Sequence, residues 1–116
     1  MSELTLYLKM EKDFEDVASD LGKVFGLDLV VEQTDTGPRC QFYCLDVEFY
    51  FVKHFDEEDD GAIEYSKYNY CLFFIKLNSG GYSDEYNDMY TNIAKHYSKK
   101  IAHALNAKAL LINLKV

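Results

Sequence analysis

The hydrophobic pattern of this chain changes its period along the sequence, and that change constrains the fold more than any other feature. From Leu4 to Met10, apolar side chains occupy every second position, as in a strand with one buried face. From Asp13 they recur every three or four positions until Gly26, which is typical of an amphipathic helix with a glycine after its last turn. The sequence therefore predicts a strand followed by a helix.

The middle of the chain is predicted to contain three further strands. Residues 27–32 are apolar and β-branched and precede a turn-forming stretch at 34–38, so they predict a strand. Residues 40–55 predict a longer strand that bends or breaks near Asp46. Residues 68–77 are apolar at both odd and even positions, which indicates a central strand covered on both faces. The residues expected on the buried face of the long strand are Leu45, Val47, Phe49 and Phe51.

A second amphipathic helix and a closing strand complete the pattern. Ser83 is followed by two acids, which suits a helix N-terminus, and an apolar stripe continues from 86 to 105. Residues 109–116 alternate again. The predicted order is β-α-β-β-β-α-β. Two helices on one mostly antiparallel or mixed sheet is the simplest two-layer arrangement, so we predict a single α+β domain over residues 1–116.

Cysteine and histidine form no pattern that indicates catalysis or metal binding. Cys40 and Cys44 would lie about 13 Å apart on one strand, too far for a disulfide, and free thiols fit a reducing cytoplasm. His96 and His103 are two helical turns apart, too far to share an ion without further ligands. The sequence lacks the glycine-rich and nucleophile motifs of common enzymes. We predict no enzyme activity, cofactor or metal; the alternative, an enzyme built from scattered Cys, His and acids, requires a deep pocket of titratable groups.

Charge is distributed unevenly along the chain, whose formal net charge is −8. Residues 1–92 contain all 20 acids and 7 bases, whereas residues 93–116 contain 5 bases and no acid. A field of this sign repels nucleic acid and membrane phosphate and attracts basic proteins. The N-terminal residues lack a signal-peptide pattern, and the longest apolar run is too short to span a bilayer. We therefore predict a cytoplasmic protein with a basic protein partner and no direct contact with nucleic acid or membrane.

Five consecutive acids at 56–60 form the most conspicuous local feature. With Gly61 they resemble the start of an EF-hand calcium loop, but Lys67 stands where that loop needs a bidentate glutamate, so we predict no calcium site. Tyrosines follow the acids, and rings beside carboxylates suit an interface for lysine and arginine. The simpler alternative is a solvated loop between two strands. The candidate partner-binding residues are Asp56, Glu57, Glu58, Asp59, Asp60, Glu64, Tyr65 and Tyr68.

The acid run leads through Gly61 and Ile63 into a tyrosine-rich stretch, which is followed by the apolar strand, the long helix and the closing strand. The tyrosines of this stretch are Tyr65, Tyr68 and Tyr70. The arrangement resembles the immunity proteins of bacterial contact-dependent growth inhibition and related polymorphic toxin systems. The resemblance implies an inhibitor that binds a cognate toxin domain, often a nuclease, and covers its active site or the surface that nucleic acid would occupy.

Charge supports the same function independently of the resemblance. Nuclease domains offset phosphate repulsion with lysine and arginine, so the carboxylates of an inhibitor can take the place of phosphates. The alternative is a regulatory or adaptor domain that forms a homodimer through a sheet edge or an aromatic patch. The inhibitor is expected to be a monomer or small homo-oligomer with a free acidic surface, whereas the adaptor buries its aromatic surface in self-association. Sedimentation distinguishes the two.

Overall fold

The computed structural model describes residues 2–53, 68–77 and 83–115 of the chain. Within them, two helices and six strands form an α+β fold, as the sequence predicts. The element order also agrees, except that one predicted strand is divided in two. In chain order the elements are β1 (Ser2–Lys9), α1 (Phe14–Phe25), β2 (Glu32–Thr34), β3 (Gly37–Cys44), β4 (Val47–Lys53), β5 (Tyr70–Lys76), α2 (Asp84–Ala104) and β6 (Lys108–Lys115).

All six strands belong to one antiparallel sheet in the order β2-β3-β4-β5-β1-β6. β5 lies between β4 and β1, which confirms its predicted central position. β1 pairs with both β5 and β6, so the first strand joins elements from the second half of the chain. β2 and β6 are the edges of this described sheet.

Both helices pack on one face of the sheet and enclose an aromatic core. α1 is followed by Gly26, whose φ of 68° is a left-handed conformation that glycine adopts without steric cost. The Phe14 ring stacks on Phe51 of β4, with 4.7 Å between centroids. The Phe25 ring stacks on Tyr97 of α2, with 4.3 Å between centroids. These contacts join α1 to the sheet and to the second helix.

Two hydroxyl groups fix the start and the middle of α2. The Ser83 hydroxyl oxygen accepts a hydrogen bond from the Tyr86 N–H (3.1 Å), which is the helix cap that the sequence predicts. The buried Tyr90 hydroxyl accepts from the Leu4 N–H (2.8 Å) and donates to the Phe74 carbonyl oxygen. Because Leu4 and Phe74 lie opposite each other in β1 and β5, this hydroxyl ties the helix to both strands.

The strand predicted over 27–32 is wrong, since pairing is confined to Glu32–Thr34. Leu27 follows the C-cap Gly26 and closes the end of α1, because its N–H donates to the Gly22 carbonyl oxygen (2.9 Å). Val30 is 74% exposed between two half-buried neighbours. The alternation in this segment therefore reflects packing against the core, and no described strand pairs with the residues that precede β2.

The long strand predicted over 40–55 is a hairpin of β3 and β4 as far as the structure describes it. Cys44 pairs with Val47 across a two-residue turn, so the predicted break near Asp46 is confirmed. The inward-facing residues of β4 are fully buried, as predicted. The prediction for Leu45 is wrong: its side chain is 64% exposed, because the residue lies in the turn.

Candidate protein-binding surface

The face of the sheet opposite the helices, called the open face below, carries an apolar surface of its own. Tyr7 and Cys71 are buried at its centre. Half-buried side chains from β4, β5 and β6 surround them. These are Val52, Phe73, Leu110 and Ile112. Neither of the two described helices contributes to this cluster.

The structure leaves most of the sequence-predicted site untested. The acids at 56–60, Glu64 and Tyr65 lie outside the described residues, so their grouping stays a prediction. Tyr68 is described, and its ring is half-buried on the open face, 6.1 Å from the ring centroid of Tyr7. Because β4 and β5 pair directly, the acidic segment connects neighbouring strands.

The β3–β4 turn has an unusual backbone for the residues that form it. Leu45 and Asp46 have φ values of 50° and 61°. Positive φ at both central residues is the pattern of a type I′ turn, whose twist suits a hairpin and whose preferred sequence is Asn-Gly. For a bulky residue such as leucine, positive φ is sterically costly. The sequence of this turn is therefore not the one that the backbone alone would favour.

Apolar side chains are exposed in this turn and beside it. Leu45 is 64% exposed, Tyr43 is 57% exposed, and Leu77, just after β5, is 42% exposed. The Tyr86 hydroxyl accepts a hydrogen bond from the Leu77 N–H (3.0 Å) and donates to the Asp46 carbonyl oxygen (2.7 Å). The turn, the end of β5 and the start of α2 are therefore held together. We call this region the turn surface and define it as Tyr43, Leu45, Asp46, Glu48 and Leu77.

Carboxylates surround the apolar residues of the turn surface. Glu48 lies opposite Tyr43 across the hairpin, and its hydrogen bond raises the pKa of the Tyr43 phenol. Gln41 donates from Nε2 to Glu48 and, at 3.3 Å, to the Tyr43 hydroxyl. Asp84 and Glu85 are exposed in the first turn of α2. Apolar anchors among acids can bind a basic protein, since rings supply contact area and carboxylates attract lysine and arginine.

The described cysteines and histidines form no reactive or metal-binding group. Burial raises the pKa of the Cys40 thiol to about 11, with a smaller contribution from Glu32, so the thiol stays protonated at neutral pH. Among the described residues, no two cysteines form a disulfide. His96 and His103 are exposed on α2. Among the described residues, no three potential ligands from His, Cys, Asp and Glu come together.

Sequence reasoning missed the turn surface because Leu45 continues the alternation of β4. The available signal was a two-residue gap between two alternating segments, which is the spacing of a tight hairpin. That signal is weak here, since Leu-Asp contains neither the asparagine nor the glycine that marks such a turn.

Neither described helix has the combination of length and apolarity needed to cross a membrane. No protein-family model matches the chain, and no curated protein is significantly similar to it.

Proposed function

We propose that this chain is an acidic immunity protein that binds a cognate basic toxin domain, a nuclease, in the bacterial cytoplasm. It acts by covering the active site or the substrate surface of the toxin and has no catalytic activity of its own. The partner covers the turn surface and reaches toward Tyr68, about 20 Å away along the strands. The acids of the turn surface flank this contact, and the acids of residues 56–64 are further candidate contacts that the sequence predicts.

The observation that carries the proposal is the exposed, left-handed Leu45. This backbone conformation costs a non-glycine residue about 1–2 kcal/mol. A side chain that is 64% exposed offsets little of that cost by burial in the free chain. Backbone strain of this kind is concentrated at functional sites. A partner that covers Leu45 would bury the leucine where the fold alone does not.

Charge indicates the chemistry of the partner. The chain has 20 acids and 12 Lys and Arg residues, and all the acids lie within residues 1–92. A nuclease domain carries lysine and arginine where it holds phosphates, so carboxylates beside exposed rings match its surface. Long-range attraction would speed the encounter, and a few buried side chains would supply most of the affinity. Tyr43 and Leu45 are the described anchors, and Tyr65 and Tyr68 are those that the sequence predicts.

The test is a calorimetric titration of the full chain with the C-terminal domain of the toxin encoded beside its gene, at low and moderate salt. One variant combines Tyr43→Ala with Leu45→Ala, and a second neutralises the acids at 56–60. A charge-matched control neutralises five exposed acids elsewhere. These are Glu11, Glu15, Asp16, Asp28 and Asp35.

Wild type is expected to bind tightly, with weaker binding at higher salt. The turn variant should bind at least about tenfold more weakly, because removal of a central anchor costs more than 1–2 kcal/mol. The variant lacking the acids at 56–60 should lose more affinity than the charge-matched control. Equal losses would mean that only net charge matters. Absence of binding, together with a homodimer in sedimentation, would favour the self-associating adaptor instead.

A further inference from the structure

The two edge strands of the sheet differ in length and chemistry. β2 has three residues, all polar, and its Glu32 forms an ion pair with Arg39 of β3 (3.1 Å). A short, charged edge is one of the ways in which proteins prevent unwanted strand pairing. β6 has eight residues, is apolar from 109 to 112, and contains neither proline nor glycine. Its outer edge pairs with no strand among the described residues.

β6 also contributes to the apolar surface on both faces of the sheet. Leu110 and Ile112 are half-buried in the cluster of the open face. Ala109 and Leu111 pack against the core under the helices. Since neighbouring residues of a strand point to opposite faces, an added strand would extend both apolar surfaces with alternate side chains.

Lysines stand at both ends of this edge. Lys108 lies directly opposite Lys9 of β1, and both are exposed. Lys115 is the last residue of β6. Like charges directly opposite each other in an antiparallel pair are destabilising. A surface cleft of about 480 Å³ is lined by these two opposed lysines, by Lys12, whose ammonium pairs with Asp20 (2.9 Å), and by one acid, Glu11. In a chain with a net charge of −8, this edge is locally basic.

We propose that β6 is a strand-addition site for an extended segment of another protein that has apolar side chains in its middle and a carboxylate at each end. A carboxylate opposite Lys108 lies on the same face as Lys9, two inter-strand spacings or about 10 Å from it, so its attraction to both lysines offsets part of the repulsion within that pair. Main-chain hydrogen bonds to the free edge supply affinity, and the terminal lysines select charge and register. This site is separate from the turn surface and does not depend on the toxin.

Charge argues against a second copy of this chain as the occupant. In a two-fold antiparallel pair of β6 strands, directly opposite residues share a face and so differ by an even number, and overlap of the apolar residues centred on Leu111 places Lys108 of one copy opposite Leu114 of the other, next to its Lys115. This happens at both ends of the pair, where each Lys108 already faces Lys9. Residues 93–116 contain no acid that could offset the repulsion. A strand with acidic ends meets the same apolar residues without that cost.

The test uses the full chain, labelled for NMR, and synthetic eight-residue peptides of alternating valine and threonine. The probe has glutamate at both ends, and its matched control has lysine at both ends. A third peptide repeats the probe with alternate backbone nitrogens methylated, which removes the donors that strand addition needs. The readouts are affinity and the hydrogen-exchange rates of the β6 amides. The protein variant Lys108→Glu with Lys115→Glu reverses the charge of the edge.

The probe is expected to bind and to slow exchange of alternate amides within 108–115. The lysine-ended peptide should bind about tenfold more weakly, because two favourable cross-strand pairs become unfavourable. The charge-reversed variant should invert this preference, and the methylated peptide should not bind. Equal affinity for the two peptides, binding without protection of β6, or a wild-type homodimer with β6 already protected would each overturn the proposal.

Discussion

Replacement of Leu45 by asparagine should stabilise the free chain although it removes an apolar side chain. Asparagine tolerates the left-handed region because its side chain bonds locally to the backbone, so relief of strain is worth about 1 kcal/mol. The lost contacts are few, since Leu45 is 64% exposed and full burial of a leucine contributes about 1.5–3 kcal/mol. Loss of the covered third costs about 0.5–1 kcal/mol on the same scale. The expected net change is a gain of about 0.5 kcal/mol or less.

The matched variant Leu45→Ala separates strain from contact. Alanine loses the same contacts but has no polar group that can hydrogen-bond to the local backbone, so the strain remains and Leu45→Ala should destabilise the chain by about 0.5–1 kcal/mol. The difference between the two variants isolates the strain, at about 1 kcal/mol or about 3–6 °C in Tm. Urea and thermal unfolding followed by circular dichroism measure it. If both variants shift stability by the same amount in the same direction, the turn is unstrained and the argument from Leu45 to a binding site fails.

Three further predictions concern the core and the thiols. Tyr90→Phe should lower the free energy of unfolding by about 1–3 kcal/mol in urea titrations, because backbone groups of β1 and β5 lose their shared hydroxyl partner. Gly22→Ala should destabilise the chain by about 1–2 kcal/mol despite the better helix propensity of alanine, since the added Cβ would lie 2.5 Å from the Leu27 carbonyl oxygen. The exposed control Ser19→Ala should change stability little in the same assay. Burial raises the pKa of the Cys40 thiol from 9.0 to about 11, so this group contributes stability that is complete below pH 9 and is lost as the pH rises toward 11. Cys40→Ala should therefore reduce the pH dependence of the unfolding free energy measured between pH 9 and about 11.

The elements that the sequence predicted correctly are those whose period is long and uninterrupted. α1 and α2 each keep one apolar stripe for three turns or more and have recognisable ends at Gly26 and Ser83. β5 is apolar on both faces, which required a central position. The pattern of apolar residues was therefore enough to assign these elements, without knowledge of which strands pair.

The errors arose in segments where side chains alternate in burial although the backbone does not continue as a paired strand. Residues 27–31 alternate in burial without a described partner strand, because a segment lying along the core obeys the same period as a strand. In the β3–β4 hairpin, Leu45 has the parity of the buried residues of β4 but belongs to a two-residue turn. Parity describes only which face a side chain would occupy if the strand continued. Turn chemistry decides whether it does, and Leu-Asp gives little indication of a turn.

The candidate site was predictable in its chemistry and only partly in its position. An acidic surface with exposed rings follows from composition and charge, because the excess of acids and tyrosines must lie at the surface or at its margin. The turn surface joins Tyr43, Leu77 and the start of α2, which are distant in sequence and meet through the Tyr86 hydroxyl. Which distant residues come together in this way depends on strand order and register. The predicted acids at 56–60 lie outside the described residues and await the binding experiment.

The turn surface and the β6 edge are expected to act independently, and a stability measurement can establish this before any partner is known. β4 and β6 are three inter-strand spacings apart, about 14 Å, beyond the range at which substitutions usually couple. Lys108→Glu should stabilise the chain by about 0.2–1 kcal/mol because its pair with Lys9 becomes attractive, and adding Lys9→Glu should cancel that gain. The effect of Leu45→Asn should be the same, within about 0.5 kcal/mol, with either residue at 108. A larger discrepancy in urea unfolding would mean that the sheet transmits changes between the two surfaces, and occupancy of one would then alter the affinity of the other.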